Sequence, residues 1–464
     1  MAVPDSSSST WHRSALLVVA SFFPAVVLSY LWIGTYGSWR LLEGSYPFAI
    51  YDQLGGSLLA WHVAVPSNHE SFFFNGKYFV YFGPLPAFLR IPFNFLFPGV
   101  FGEWDRVSCL IAGLIAWLAF ATLAWAAIGR RQDLPERRKT IILAALLAAF
   151  AWGSPLFFLL TYPSIYHEAA LWGLAFSLVG LTCVFALEAG PNEKMMWGLS
   201  VSAGLALLSR VTSGSSLVLL LLPINIRALQ HVRWPKVALF SLPVIAALSF
   251  QLWYNDARFG WPFTFADLRY YVNFQNSPVH LTLIDRVGTQ DFRRIPDTLS
   301  NYFGFSPSHF HADWPWLRFA PPSYRDQALF DPYREWVLSL WEASPWIVAA
   351  ALAGLLTVAR RRGDRRRLLS LIAFVPQTLV ALTFYYVTYR YTADYLPLAS
   401  FLLFSWISTP GTLSSRPVRV LLFTLCAYSI VATVSSSLHH QAVVGYTPAE
   451  DKARLQRLLH LDPG

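Results

Sequence analysis

The sequence has little charge for its length. Of its 464 residues only 13% are Asp, Glu, Lys or Arg, whereas 55% are hydrophobic, and the mean hydropathy is +0.43. Soluble globular domains carry about 25% charged residues, so this composition excludes an ordinary soluble protein. A helix crosses the hydrocarbon core of a bilayer with about 20 mostly apolar residues, and the sequence contains several such stretches. The composition predicts an integral membrane protein.

Cysteine is also scarce. The three cysteines, Cys109, Cys183 and Cys426, lie in separate apolar runs, with no CxxC spacing and no position in a loop. This distribution excludes a disulfide framework or a cysteine-based metal centre. We expect small buried side chains at all three positions.

Positive charge is concentrated in a few short segments. The net charge is +9, and the densest basic clusters are residues 130–139 and 360–367, each between two apolar runs. Loops rich in Lys and Arg next to membrane spans stay in the cytoplasm. We therefore attribute the net charge to membrane topology and expect no nucleic-acid partner.

The apolar runs predict about eleven transmembrane helices in an all-α polytopic protein. The predicted spans are residues 14–34, 107–128, 141–160, 169–187, 197–208, 215–226, 237–253, 345–358, 368–387, a span after Pro397, and 420–434. The first is longer than the apolar core of a cleaved signal peptide, so we expect it to be retained. With the N-terminus in the cytoplasm and the C-terminus outside, every dense basic cluster lies on one side. We expect a bacterial plasma membrane protein of the cell envelope.

Two segments are predicted to lie outside the membrane. Residues 51–92 combine an amphipathic piece around residues 54–61 with the aromatic run 75–86, a composition that suits the lipid–water boundary. The apolar stretch 82–98 is interrupted by prolines and predicts an interfacial or re-entrant segment. The longer segment, residues 254–344, is aromatic, proline-rich and mixed in charge, which predicts a folded external insert. It separates an N-terminal membrane module, 1–253, from a C-terminal one, 345–464.

The outer face offers two acids and two arginines as candidates for chemistry. Asp52 and Glu168 each lie within a few residues of a span, so both should reach the same membrane depth. One acid could deprotonate an acceptor hydroxyl while the other positions groups or a metal ion. Arg258 and Arg390 lie on the same face, and an arginine binds phosphate through its planar fork. The alternative is that these side chains mark helix ends.

The aromatic run carries a family resemblance. Residues 75–93, NGKYFVYFGPLPAFLRIPF, resemble the external loop of the GT-C membrane glycosyltransferases, in particular the protein mannosyltransferase and aminoarabinose transferase group. Residues 204–212, 253–262 and 390–397 resemble further segments of that group and occur in the same order. The likeness is scattered over most of the chain.

The resemblance implies a reaction and a set of site residues. Such enzymes move a sugar from a polyprenyl phosphate to a hydroxyl of a lipid, glycan or protein acceptor on the extracytoplasmic face, usually with inversion. The absence of a nucleotide-binding glycine motif agrees with a lipid-phosphate donor. The implied catalytic residues are Asp52 and Glu168, and the implied substrate-binding residues are Lys77, Tyr81, Tyr166, His167, Arg258, Arg390 and Tyr391.

The chain departs from the family pattern in its first loop. The group's Asp-Glu pair should stand a few residues before Tyr51, where this chain has Pro47 and Phe48. Asp52 is the nearest carboxylate to that position, and Glu43 is its rival for the role of the first-loop acid. The missing pair also favours an alternative function, a non-catalytic membrane scaffold. A further alternative is a lipid or sugar transporter, although a transporter should carry charges in mid-span and the sequence shows no internal repeat.

Two features of the insert remain open. His309, His311 and Asp313 alternate as metal ligands on a strand would, but their aromatic surroundings favour a packed loop. We predict no definite cofactor, and a divalent metal stays possible. Four tryptophans could stack on sugar rings or form an interfacial belt, and we favour the belt; they are Trp314, Trp316, Trp336 and Trp341.

Overall fold

The structure is a computed structural model of the chain, and it is predominantly helical. It describes residues 6–44, 49–67, 70–188, 190, 192–228, 234–265, 267–360, 365–445 and 447–459.

The helices are numbered in chain order. Those up to the end of the N-terminal module are α1 (Ser6–Gly34), α2 (Ile50–Leu59), α3 (Leu85–Leu96), α4 (Asp105–Gly129), α5 (Glu136–Trp152), α6 (Pro155–Leu160), α7 (Ile165–Glu188), α8 (Glu193–Ser209), α9 (Val211–Ala228) and α10 (Trp234–Phe259). The later ones are α11 (Val272–Gln275), α12 (Pro278–Val287), α13 (Ile295–Phe303), α14 (Leu340–Ala343), α15 (Pro345–Arg360), α16 (Arg365–Ala373), α17 (Val375–Thr383), α18 (Leu396–Ile407), α19 (Arg416–His439) and α20 (Ala449–Leu458).

Several helices are long and apolar enough to cross a membrane, which indicates a membrane protein. Within the described residues there are six, namely Thr10–Gly34, Asp105–Gly129, Glu136–Leu160, Ile165–Glu188, Trp234–Phe259 and Arg416–Val444. Each of the predicted spans coincides with helical structure, but one of these six is divided into α5 and α6, and the other predicted spans are shorter or interrupted. The number of about eleven spans therefore stays a prediction.

Proline and close packing explain why two predicted spans are interrupted. The segment predicted as 141–160 breaks at Gly153, where an added Cβ would lie 2.9 Å from the backbone nitrogen of Ile430 in α19. Ser154 then caps α6 by accepting a hydrogen bond from the backbone N–H of Leu156. The segment predicted as 368–387 breaks before α17, whose first turn contains Pro376, a residue without a backbone N–H to donate.

Residues 51–92, which are predicted to lie outside the membrane and are called here the first external loop, contain a small sheet that the all-α prediction missed. Strands β1 (Ala64–Val65), β2 (Ser71–Phe74) and β3 (Lys77–Val80) form an antiparallel sheet in the order β1-β3-β2. Asn75 and Gly76 join β2 to β3 with positive φ angles of 48° and 75°. An Asn-Gly turn of this kind matches the twist of a two-strand hairpin, so the local sequence carried the signal.

The neighbouring elements agree more closely with the sequence. Helix α2 is amphipathic, since Tyr51 and Leu54 are fully buried whereas Leu59 and Trp61 are exposed. The stretch predicted to be interfacial or re-entrant forms α3. The structure shows no membrane, so its depth in the bilayer stays a prediction.

The insert packs onto the first external loop. Helix α10 continues to Phe259, five residues beyond the predicted start of the insert at Tyr254. Phe72 of β2 contacts Phe259 and Tyr271 with ring centroids 5.7 Å apart in both pairs. Phe274 and Tyr385 belong to the same buried aromatic cluster. The loop and the insert therefore share a core above the helix ends predicted to be extracytoplasmic.

Candidate functional site

The two predicted catalytic acids meet, and they meet around an arginine. Arg90 of α3 donates to Asp52 at 2.5 Å and also pairs with Glu168 and Asp105. All four side chains are at most 3% exposed. Ser108 donates to Glu168 at 2.5 Å. We call these five residues the Arg90 cluster.

The Arg90 cluster ties four helices together and is closed to the neighbouring cavities. Asp52 lies on α2, Arg90 on α3, Asp105 on α4 and Glu168 on α7. Neither Asp52 nor Glu168 lines either of the two main cavities. The structure brings the two acids together, and one buried guanidinium pairs with both; their catalytic role stays a prediction.

Two other predicted residues lie away from the cavities. Glu43 is half-buried and pairs with Arg106 at 3.1 Å and with Arg40 at 3.7 Å. Lys77 is exposed at the tip of the β2–β3 hairpin. Pro47 and Phe48, where the family pattern places its acids, lie outside the described residues.

The other predicted binding residues line two adjoining cavities. The larger has a volume of about 490 Å³ and the smaller about 210 Å³. Both are formed by the helix ends predicted to be extracytoplasmic, by the first external loop and by the insert. Their shared wall consists of Tyr81, Tyr166, Phe384, Arg390 and Tyr391. Of the other predicted residues, His167 lines the larger cavity and Arg258 the smaller.

The smaller cavity is rich in positive charge. Its ionised lining side chains are Arg210, Arg258, Arg390 and Asp394. Arg210 pairs with Asp394 at 2.7 Å. Arg258 is buried and donates to the carbonyl oxygen of Val80 at 2.7 Å and to other uncharged oxygens. Among the described residues, no carboxylate balances its charge. The remaining lining is largely apolar, which suits an anionic group carried on a lipid.

The lining of the larger cavity carries more negative than positive charge. Its carboxylates are Glu70, Asp331 and Glu335, and its arginine is Arg390. Its walls carry many aromatic rings, among them Tyr162, Tyr166, Tyr271, Phe274, Tyr333, Trp336, Tyr385 and Tyr386. A cavity of this size and lining is typical of small-molecule binding sites.

Arg390 stands between the two cavities. It pairs with Glu335 and its guanidinium lies 4.5 Å from the ring centroid of Tyr166 and 5.3 Å from that of Tyr391. Its Nε is buried and has no hydrogen-bond partner among the described residues. A buried donor without a partner is costly, so this atom points to a ligand that the protein alone does not provide.

Charge pairing controls the ionisation of this arginine and its partner. Burial is the largest single effect on Arg390 and acts to lower its pKa, but the Glu335 carboxylate and three neighbouring tyrosines together raise the Arg390 pKa well above its usual value. Burial likewise acts to raise the pKa of Glu335, but Arg390, together with Thr388 and His167, lowers the Glu335 pKa below its usual value. Both groups are therefore charged at neutral pH.

Glu70 is a first-loop acid that does reach a cavity. It precedes β2, and its Oε2 accepts hydrogen bonds from the hydroxyls of Tyr166 and Tyr271. The Tyr166 ring also contacts Arg390. Glu70 is thus one tyrosine away from the arginine of the shared wall.

A second polar pair lies in the insert at the larger cavity. Asp331 Oδ1 accepts from the backbone N–H of Tyr333 at 2.7 Å and lies 3.2 Å from His280 Nε2. His280 stacks on Phe274, with ring centroids 4.2 Å apart. Burial raises the pKa of Asp331 to about 6, although His280 acts to lower it.

The metal-like motif of the insert does not converge on one point. His309 Nδ1 lies 2.5 Å from a carboxylate oxygen of Glu342, and Asp313 pairs with Arg318 at 2.5 Å. Within the described part of the chain, no three His, Cys, Asp or Glu side chains are placed to hold a metal ion together. His309 ends a short 3₁₀ turn, Pro307–His309, so the three residues do not alternate along one strand.

The sequence contained signals for some of the residues that were missed. Arg210 lies in one of the family-like segments, residues 204–212, and Glu70 stands seven residues before Lys77 in the first loop. Asp52 lies nearer than Glu70 to the position of the family's acid. Asp331 and His280 are 51 residues apart, and no local pattern connects them.

Comparison with known proteins gives a distant structural likeness. No protein-family model matches the chain, and no curated protein sequence matches it. The chain is similar to the crystal structure of the Archaeoglobus fulgidus oligosaccharyltransferase in the apo form, with 15% identity and a TM-score of 0.49 over 91% of this chain. It is also similar to that enzyme tethered through a disulfide bond to an acceptor peptide with the NVT sequon, with 16% identity and a TM-score of 0.44.

The chain spans little more than half of that enzyme, 56% and 55% of the two neighbouring chains. A likeness of this kind concerns the fold and does not establish a family or a reaction.

Proposed function

We propose that the protein is a membrane glycosyltransferase that uses a polyprenyl-phosphate sugar as donor and an acceptor hydroxyl on the extracytoplasmic face. The observation that carries this proposal is the opposite charge of two cavities that share Arg390. A phosphate fits the positive cavity and an uncharged acceptor fits the other. The sugar then lies at the shared wall, where the two substrates meet.

The smaller cavity suits the donor. Arg390 and Arg210 can hold the phosphate, since arginine binds phosphate oxygens through paired N–H groups. Arg258 adds a buried positive charge without a carboxylate partner among the described residues. Apolar lining side chains, including Val380 and Phe265, suit the first part of a lipid chain.

The reaction is a single displacement at the anomeric carbon. The acceptor oxygen forms a bond to that carbon while the bond from carbon to the phosphate oxygen breaks. The bonding electron pair leaves with the polyprenyl phosphate, whose added negative charge lies against Arg390 and Arg210. Fixed cations at the point where charge develops lower the barrier most.

Glu70 is the base in this proposal. Its carboxylate receives the proton of the acceptor hydroxyl, and the two tyrosine hydroxyls hold it in place. General base catalysis of this kind contributes about 10²- to 10⁴-fold to a rate. Asp52 and Glu168 become positioning residues, because Arg90 occupies both.

The test compares cavity residues with matched residues outside. Purified protein is incubated with a panel of radiolabelled polyprenyl-phosphate sugars and a membrane extract as acceptor. We expect Arg390→Met and Glu70→Gln each to lower transfer by about 100-fold or more, whereas Lys77→Met removes a cation from the exposed hairpin and keeps wild-type transfer.

Other results would change the proposal. Loss of transfer in Asp52→Asn or Glu168→Gln, in folded protein and with Glu70→Gln active, would return the base to the Arg90 cluster. Donor movement between the two membrane faces without sugar transfer would indicate a transporter. If the protein shows neither sugar transfer nor donor movement, and cells without the protein keep the same membrane composition, a scaffold is indicated.

A further inference from the structure

Part of the lining of the larger cavity is not used by the proposed reaction. That reaction uses Glu70 and Arg390, whereas Asp331, His280, Tyr333 and Trp336 of the insert also line the cavity and have no role in it. These four side chains are available to contact the part of the acceptor that does not react. Their chemistry therefore indicates the class of acceptor.

We propose that the larger cavity binds a neutral carbohydrate acceptor, held between the aromatic rings at 333 and 336 and the carboxylate of Asp331. This inference rests on the proposed function, because it names the acceptor of that reaction.

The aromatic rings provide the first part of the evidence. Tyr333 and Trp336 line the cavity although 53% and 36% of their surfaces are exposed. Partly exposed rings that line a cavity suit the apolar faces of sugar rings, which stack on aromatic side chains much as other flat apolar groups do. Trp314 is also exposed but lines neither main cavity. Of the four tryptophans predicted to form an interfacial belt, Trp336 therefore differs from the other three because it lines the larger cavity.

The carboxylate of Asp331 provides the second part. Its Oδ1 is occupied by His280 and by the backbone N–H of Tyr333. Within the described chain, no donor reaches its Oδ2, although the side chain is only 2% exposed. A sugar hydroxyl is a donor of suitable size, and a carboxylate that accepts it forms a charge-assisted hydrogen bond.

The negative charge of the larger cavity argues against anionic and lipid acceptors. Three carboxylates face one arginine, so an acidic glycan or an anionic lipid head group would be repelled. A long acyl chain offers no donor to Asp331 Oδ2, and leaving a buried polar atom without a hydrogen bond is costly. Neutral hydroxyl-rich molecules satisfy both conditions.

The first experiment measures binding without any donor. Neutral oligosaccharides of glucose, mannose, galactose and arabinose are titrated into the purified full chain in detergent, and saturation-transfer NMR detects contact. We expect at least one of them to bind, and we expect Trp336→Ala and Asp331→Asn each to weaken binding about tenfold or more, which corresponds to about 1.4 kcal/mol. Trp314→Ala is the matched control and should bind as the wild type does.

The second experiment separates this inference from the proposed function. Release of polyprenyl phosphate from a radiolabelled donor is measured with water, a neutral oligosaccharide, an acidic oligosaccharide, a peptide or a lipid as acceptor. Transfer to the neutral oligosaccharide, lost in Trp336→Ala while hydrolysis by water continues, supports the inference.

Two outcomes would overturn the inference. Transfer only to the peptide, the lipid or the acidic glycan would leave the proposed function standing and refute the carbohydrate acceptor. Equal binding of neutral oligosaccharides by the wild type and both cavity variants would refute it as well. If no donor is used with any acceptor, the proposed function fails, and the binding titration alone decides whether the cavity takes carbohydrate.

Discussion

Arg90 shows how a single side chain changes the roles of several others. Each carboxylate around it would be a plausible catalyst on its own, yet all three pair with one buried guanidinium away from the two main cavities. Burying these charges costs several kcal/mol for each ion, and the ion pairs offset that cost only while the geometry is intact. The arginine is therefore a structural requirement for the helices it joins.

Replacing Arg90 should destabilise the protein strongly. Arg90→Met leaves Asp52, Asp105 and Glu168 buried without their cation, and removing one partner of a buried pair costs about 3–5 kcal/mol. We expect a large fall in the thermal midpoint in detergent, followed by intrinsic fluorescence. Arg40→Met is the matched control, because Arg40 is 72% exposed and its pair with Glu43 is long at 3.7 Å. Equal midpoints for the two variants would contradict this account.

Asp331 should make stability depend on pH. Its pKa is raised from 3.8 to about 6 in the folded state, so the folded protein holds this proton more tightly than the unfolded chain. Stability from this group is therefore present at low pH and is lost as the pH rises from about 4 to about 6. A shift of about two pKa units corresponds to at most about 3 kcal/mol.

The comparison with Asp331→Asn isolates that effect. The variant lacks the titrating group, so its stability relative to the wild type should improve as the pH rises from 4 to 7. Chemical denaturation at a series of pH values measures the difference. A difference that is constant with pH, or that changes in the opposite direction, would contradict the assignment.

At the scale of elements, a glycine in the aromatic run of the first loop allows that loop to pack closely against the end of α8. Gly83 follows β3, and a Cβ built there would lie 2.1 Å from the carbonyl oxygen of Leu208 and 2.7 Å from that of Ser209. These carbonyls end α8 directly before Arg210. The close approach thus holds the first loop against the arginine of the donor cavity.

Gly83→Ala should separate these two elements. The backbone atoms it meets cannot move aside as a side chain would, and overpacking typically costs about 1–3 kcal/mol. We expect a lower thermal midpoint and at least a tenfold loss of sugar transfer. Gly99→Ala is the control, because a Cβ at Gly99 meets nothing within 4 Å. Wild-type transfer by Gly83→Ala would show that this contact does not position the donor cavity.

The elements also show what the sequence could and could not predict. The apolar runs located the helices, because the composition of a long apolar segment fixes its structure in lipid. The Asn75-Gly76 turn specified a hairpin, although the aromatic composition of residues 75–86 indicated only an interfacial segment. The Arg90 cluster could not be predicted, because its members come from four helices and only packing brings them together. The insert was expected to be folded, yet its contribution of Asp331 and His280 to a cavity depends on long-range contacts.

At the scale of the whole molecule, the proposed site requires one orientation in the membrane. The cavities lie at the helix ends predicted to be extracytoplasmic, and the positive-inside rule predicts a cytoplasmic position for the basic segment between α4 and α5. The exposed hairpin residue Lys77 is on the cavity side, whereas the exposed Gln132 lies in the basic segment between α4 and α5. The native cysteines are all buried, so labelling of an introduced cysteine shows on which side of the membrane that cysteine lies.

We expect Lys77→Cys to react with a membrane-impermeant maleimide in intact cells, and Gln132→Cys to react only after the membrane is permeabilised. Labelling is measured as a mass shift of the purified protein. The wild type is the control and should stay unlabelled in both conditions. The opposite pattern would place the cavities in the cytoplasm and contradict the orientation.

The most direct measurement is a cryo-electron microscopy map of the protein with a polyprenyl-phosphonate sugar that cannot be cleaved. The account predicts the phosphonate within hydrogen-bond distance of Arg390 and Arg210, the lipid chain along the smaller cavity, and the sugar beside Glu70. Phosphonate density at Lys77 or at the Arg90 cluster, with both cavities filled by water alone, would contradict it.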